Sequence, residues 1–530
     1  YVFPPRPSLR LTSDMIVWCG REMPRWNPIN VCSYHLQEAG ATPVQEVAYA
    51  LATAITVLDA VRQAGRLSES DFAEAVGRIS FFVNAGIKLV TEIAKLRAFA
   101  ELWDGIAHDR YGVADARLRR FRYGVQVNSL GLTEQQPENN VHRIMLEMLA
   151  VVLSKRARAR AVQLPAWNEA LGLPRPWDQQ WSLRMQQIVA YETDLLEHED
   201  IFDGSIVMAE KVDRLKTAIG EELDRIAAMG GAIAAVESGY MKGELVKSNT
   251  ARLRAIESGE ETVVGVNAFT PTEPSPLSAG AEQAMATVSE HIELDLVAKL
   301  KRWRAGRDHG AVARALTELE AAARDDRNIM EPSIACAKAG VTTGEWGDTL
   351  RRVFGEYRAP TGIAMVSAMA NDALDDVRRA VAALSAKFGQ PLKLLVGKPG
   401  LDGHSNGAEQ IAVRARECGI DVIYDGIRFT PAELVEAAVA GAVHIVGLSI
   451  LSGSHVSLVR DVMNGLKARG LGSVPVIVGG IIPEDDGHVL KQLGVARIYT
   501  PKDYRLTVIM ADIVKLVDER TSARDGSNAA

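Results

Sequence analysis

Asp402, His404 and Gly407 stand in an Asp-x-His-x-x-Gly spacing within residues 397–407 of this 530-residue chain. An imidazole in such a loop can coordinate a metal through one ring nitrogen while the other donates to a carboxylate. Asp402 fits the carboxylate's part, and Lys398 can keep Asp402 ionised. Gly400, Gly403 and Gly407 let backbone approach a bulky ligand. Alone, the triplet would equally describe a surface histidine. Two later loops of small residues change that balance: Leu448-Ser449-Ile450-Leu451-Ser452-Gly453-Ser454-His455, and Val478-Gly479-Gly480-Ile481-Ile482-Pro483. Both follow apolar runs, where they can admit something large and flat. The Gly-Gly pair by itself is explained by a tight turn.

A second set lies in the N-terminal half: Tyr34-His35 within residues 29–40, Arg78-Ile79-Ser80-Phe81-Phe82, then Arg122, Gln126 and Glu169. Each has an ordinary alternative. His35 can be a core histidine, Phe81-Phe82 can be packing, and Arg122 can be a surface cation. Their order and spacing, rather than any one of them, carry the functional reading.

The elements that must position these residues are parallel α/β in pattern. Up to about residue 267, helical stretches alternate with short apolar segments such as 79–83 and 161–164. The proline-rich stretch 270–276 supports no regular element. Residues 268–390 read as a charged helical connector. From 391 to 520, five apolar runs (393–397, 420–425, 443–448, 475–480 and 496–500) are separated by helical patterns, and Thr430-Pro431 makes a good helix start. That alternation implies a flavodoxin-like doubly wound sheet, whose ligands sit beyond the carboxyl ends of the strands. Residues 521–530 form a tail.

A net charge of −7 gives no electrostatic case for nucleic acid or an anionic membrane. The basic run 155–160 reads as a solvated helix face, and the apolar stretch 437–451 as a helix end leading into a buried strand. Four scattered cysteines suit a reducing, cytoplasmic interior and form no zinc cluster. The start at Tyr1, running straight into Phe3-Pro4-Pro5-Arg6-Pro7, reads as entry into the middle of a domain of a longer polypeptide.

Taken together, the triplet, the Ser449 loop and Gly479-Gly480 resemble the cobalamin-binding domain of base-off/His-on enzymes. That resemblance implies His404 as the axial ligand of cobalt, with Asp402 and Lys398 behind it. It places Gly407, Ser449, Gly479 and Gly480 along the slot for the cofactor's nucleotide. The N-terminal segments resemble the adenosylcobalamin-dependent acyl-CoA mutases. The likeness implies a (β/α)8 TIM-type barrel, here lacking its N-terminal part. It implies Tyr34 and His35 as catalytic residues, a strand Arg78-Ile79-Ser80-Phe81-Phe82 whose Arg78, Ser80 and Phe82 meet the acyl-CoA together with Arg122 and Gln126, and Glu169 near the adenosyl ribose. It further implies a homodimer and a cofactor-loading GTPase chaperone. Residues 25–35 and 162–169 look closest to the branch acting on ethylmalonyl-CoA, which is isomerised to methylsuccinyl-CoA. Gly124 and Pro165 replace a histidine and an asparagine of the methylmalonyl-CoA branch, the alternative substrate. A sensor would carry a signalling module instead of Tyr34-His35, and a methyltransferase would want zinc-ligand cysteines.

Overall fold

The structure, a computed structural model, describes residues 3–270, 273, 275, 277, 286, 290–365, 374–451 and 453–528. Most of the proline-rich break, Ser452 and parts of the connector (278–285, 287–289 and 366–373) lie outside the described residues. The N-terminal half begins with helix α1 (Pro5–Glu22) and holds four strands: β1 (Asn30–Cys32), β2 (Ser80–Ala85), β3 (Tyr123–Val127) and β4 (Ala161–Gln163). All pair in parallel, in sequence order. Parallel neighbours need long crossovers. These are α2 (Tyr34–Glu38), α3 (Pro43–Gln63) and α4 (Glu69–Arg78) after β1, α5 (Leu89–Gly105) after β2 and α6 (Asn139–Val152) after β3. Helices α7 (Pro176–Tyr191), α8 (Ile206–Ala228), α9 (Ala232–Glu237) and α10 (Tyr240–Ser258) follow β4.

Strand alternation sorts the residues into two faces. Val31, Phe81, Val83, Tyr123, Val125 and Val127 are buried beneath the helices, where Phe81 meets Phe99, Trp103 and Phe121. The opposite face is built in rows by the register. Asn30 pairs with Ser80; Cys32, Phe82, Gly124 and Ala161 align; Asn84, Gln126 and Gln163 align above them. A closed (β/α)8 barrel fills such an interior with bulky branched side chains. Here, Phe82 apart, the inner face is small and polar, suited to lining a passage. The described strands number four and the sheet is open, so barrel closure is not part of this structure.

α3 is long and apolar enough to cross a membrane by length and composition, but most of that stretch is buried. It packs against α5 and α8 as a core helix. Two local expectations fail. Residues 155–160 are not a helix: a single 3-10 turn at Lys155–Ala157 ends the connection from α6, because the chain must already be extended to enter β4. Lys155 is occupied in donating to the carbonyls of Leu195 and His198. Arg78, expected on a strand, is the last residue of α4.

Helices His309–Arg324, Met330–Ala339 and Thr343–Phe354 share a small core with Phe3, whose ring meets Trp346 and Phe354 edge-on. The C-terminal sheet holds β5 (Lys393–Gly397), β6 (Asp421–Ile423), β7 (Ile445–Ser449), β8 (Val476–Gly479) and β9 (Arg497–Tyr499). All are parallel in the order β6-β5-β7-β8-β9, the flavodoxin-like winding. The order reverses between β5 and β7, so the loops after them diverge and open a crevice. Helix Asp375–Phe388 packs on the helix Leu506–Asn528 against this sheet.

Candidate cofactor and substrate site

β5 delivers the chain at Gly397 into the loop that carries His404. Lys398 is buried, and its Nζ donates to Asp402 Oδ2 (2.9 Å) and to the Ser449 carbonyl (3.1 Å). Asp402 Oδ1 accepts from the His404 backbone N–H (3.0 Å) and lies 2.8 Å from His404 Nδ1. Burial works to raise the Asp402 pKa, but the His404 hydrogen bond and the Lys398 charge outweigh it and hold the carboxyl far below its usual range. Asp402 in turn raises His404. With Nδ1 committed to Asp402, Nε2 is left open on a side chain that is 70% exposed. An oriented, basic imidazole with one free nitrogen is what a metal needs from a histidine.

The loops after β7 and β8 lie backbone to backbone. Ile450 N donates to Gly479 O (2.9 Å), and Gly480 N donates to Tyr499 O (3.1 Å). A Cβ at Gly480 would stand 1.9 Å from the Ile450 carbonyl oxygen, so no larger residue fits. A Cβ at Gly407 would touch Ser449 Oγ at 3.8 Å, so the two residues adjoin beside the loop that carries His404. These residues fit a flat cofactor whose metal takes His404 Nε2. Gly400 has a different reason to be glycine: its φ is +84° and a Cβ would press on Leu458.

In the N-terminal half, Tyr34 and His35 open α2 at the carboxyl end of β1. The Tyr34 ring meets Phe82 edge-on at 5.2 Å and His35 at 5.6 Å. Surrounding protein mass pushes His35 below its usual pKa, so it is neutral at pH 7, while its ring stays open to solvent on one side. Ser80 Oγ already donates to Ile29 O (3.1 Å). Gln126 sits on the inner face between Asn84 and Gln163. At the opposite, amino ends of the strands, Arg122 has a buried Nε with no protein partner. Burial, then the charges of Arg160, Arg78 and Arg120, push Arg122 below its usual range. Glu74, 3.5 Å from Arg78, is a small counterweight to four guanidinium groups.

Several residues here escaped the sequence reading. Glu38, at the end of α2, accepts from Asn84 Nδ2 (3.1 Å), Ser129 N (2.8 Å) and Ser129 Oγ (3.0 Å). Burial and the charge of Glu38 raise Glu169, whose carboxylate also feels His404. The two halves therefore meet at Glu38, Glu169 and His404. α10 braces that junction. Its Lys242 reaches Ser405 Oγ (3.0 Å) and Glu409 (2.6 Å), Thr250 donates to Gln410 (3.0 Å), and Glu257 accepts from Arg414 (2.8 Å). Period-two alternation could have exposed Cys32, Asn84 and Gln163 as inner-face residues; Lys242 left no local signal.

A parallel α/β half with a largely polar inner face is thus joined to a doubly wound domain whose loop presents an oriented histidine for a metal cofactor. The methylmalonyl-CoA mutase family model matches residues 1–356 and the B12 binding domain model matches 392–507, so this chain belongs to the methylmalonyl-CoA mutase family. It is 62% identical over 529 residues to the ethylmalonyl-CoA mutase of Methylorubrum extorquens, covering 100% of this chain and 77% of that protein. Identity is 60% over 525 residues to the ethylmalonyl-CoA mutase of Cereibacter sphaeroides (99% and 80%). It is 32% over 528 residues to the methylmalonyl-CoA mutase of Escherichia coli (98% and 72%).

Proposed function

We propose that this chain isomerises ethylmalonyl-CoA and methylsuccinyl-CoA with adenosylcobalamin. The observation that carries the reading is the meeting of two histidine-bearing elements. His404, with Nε2 free for cobalt, stands two residues from Asn406, which donates to the Glu38 carbonyl at the end of α2, the helix that presents His35. When bound, adenosylcobalamin supplies an alkyl radical through homolysis of its cobalt–carbon bond. The chain's own residues then bind, orient and exclude water.

Neutral His35 donates a hydrogen bond to the migrating thioester carbonyl, and Tyr34 and Phe82 wall the acyl group. Gln126 offers a polar contact on the same inner face. Arg78 and Arg122, joined by Arg120 and Arg160, meet the phosphates of coenzyme A, with the pantetheine running along the row Ser80, Phe82 and Asn84. Glu169 faces the cofactor's ribose. Lys398 and Asp402 fix His404, and Gly407, Ser449, Gly479 and Gly480 take the nucleotide. The four strands make half of a (β/α)8 barrel, which the longer relatives have the length to complete. A second copy as dimer partner, a loading GTPase and a cytoplasmic location complete the proposal.

Methylmalonyl-CoA is the competing substrate, and one observation favours it. A Cβ on Gly124 would meet the Phe82 ring at 3.0 Å, so Phe82 narrows the space that a side chain at 124 would otherwise take. Turnover of the two CoA esters by the full-length protein decides. Preference for ethylmalonyl-CoA, lost in His35→Ala and His404→Ala, is expected. Preference for methylmalonyl-CoA would keep the isomerase and overturn the substrate.

A further inference from the structure

α2 is five residues long, and the last carbonyls of so short a helix have no partner within it. The Glu38 carbonyl is taken by the other domain: Asn406 Nδ2 donates to it. Asn406 lies two residues beyond His404 and opens the helix Asn406–Glu417. The same α2 carries Tyr34 and His35 in its first turn, against Phe82. Its Glu38 carboxylate is pinned to the ends of β2 and β3 through Asn84 and Ser129. One short rigid element thus holds an acyl-site histidine at one end and a neighbour of the metal loop at the other.

We propose that Asn406 is a positioning residue that couples the acyl-CoA site to the cobalt ligand. Seating a thioester at His35 and setting His404 over the strands become one event, transmitted through α2. The inference rests on the roles of His35 and His404 given above. Lys242 holds the same loop through Ser405, but from α10, which bears none of the acyl-site residues assigned above. It therefore fixes the loop without relaying occupancy. Coupling between two sites is reciprocal, so bound cobalamin must tighten CoA-ester binding by the same factor. A single hydrogen bond suits the low end of the usual range, about fivefold.

The test uses the full-length protein as wild type, Asn406→Ala and Asn406→Asp, with Lys242→Met as the control. Asn406→Asp keeps a residue suited to a helix start but cannot donate to the Glu38 carbonyl. Three quantities are read: ethylmalonyl-CoA turnover, its affinity with and without cobalamin, and amide hydrogen exchange at residues 34–38 on adding cobalamin alone. Wild type and Lys242→Met should bind the ester about fivefold tighter when loaded, and their α2 amides should slow. Both Asn406 variants should lose both effects while binding cobalamin as wild type does. Retention of either effect in both variants overturns the proposal. So does loss of cobalamin binding in both, which would make Asn406 part of the cofactor site. If wild type fails to turn over ethylmalonyl-CoA yet shows the Asn406-dependent protection of α2, the substrate reading falls and the coupling stands.

Discussion

Asp402 serves two donors at once, the Lys398 ammonium on one oxygen and the His404 Nδ1–H on the other. An asparagine there cannot satisfy both, and it leaves Lys398 buried without its counter-charge. Asp402→Asn should weaken cobalamin binding by about 10- to 100-fold, read as a shifted midpoint in an absorbance titration. Glu147 on α6 offers a separate prediction. Burial, then the charges of Glu38 and Glu92, push it up to about 9. The folded state therefore keeps a proton that the unfolded chain gives up near its ordinary carboxylate value. Glu147 adds no cost below about pH 4.5, and an increasing cost as pH climbs from there toward 9. Glu147→Gln should leave Tm nearly unchanged at about pH 5 and raise it by several degrees at about pH 8.5. A pH-independent difference in thermal melts would refute the assignment.

At the scale of elements, α2 is held from below by a buried ionic cluster. Lys95 Nζ reaches Glu46 Oε2 (2.6 Å), Glu92 Oε2 (2.6 Å), Gln37 Oε1 (3.0 Å) and the Asn84 carbonyl (2.7 Å). Burial alone would strip its proton, but the two carboxylates reverse that and hold Lys95 above its usual range. Lys95→Met abandons both carboxylates and should cost about 3–5 kcal/mol in a denaturant titration. Adding Glu46→Gln should recover part of the loss. None of this cluster was legible in the sequence, because Glu46, Glu92 and Lys95 look like ordinary charges on α3 and α5 and meet only when the helices pack. The C-terminal domain was legible almost element by element, since the inner strands β5, β7 and β8 are buried on both faces and read as continuous apolar runs, while the half-exposed edge strands β6 and β9 are short. The Asp402–His404–Gly407 triplet was legible because its residues are close in sequence. Glu38 and Asn406, 368 positions apart, were not.

At the scale of the molecule, α10 determines whether the halves stay together. Arg414, nearly fully buried, bonds Glu257 of α10 (2.8 Å), and Arg254 of α10 pairs with Glu417. Pairs shielded from water resist screening. The radius of gyration from small-angle scattering should therefore stay constant between low salt and about 1 M salt, where the Debye length is about 3 Å. Arg414→Ala should raise it at every salt concentration by letting the halves separate.

The row Cys32, Phe82, Gly124 and Ala161 draws one residue from each of four strands, and its members face away from the core that holds the sheet together. On the proposed placement of the acyl group against Phe82, acyl-group choice is written in a register separate from foldability. Successive single substitutions along that row can reshape the pocket while Phe81, Val83 and Val125 continue to carry stability on the other side. A lineage built on this sheet can drift between neighbouring CoA esters without passing through unfolded ancestors, and a directed library confined to those four positions samples the same path.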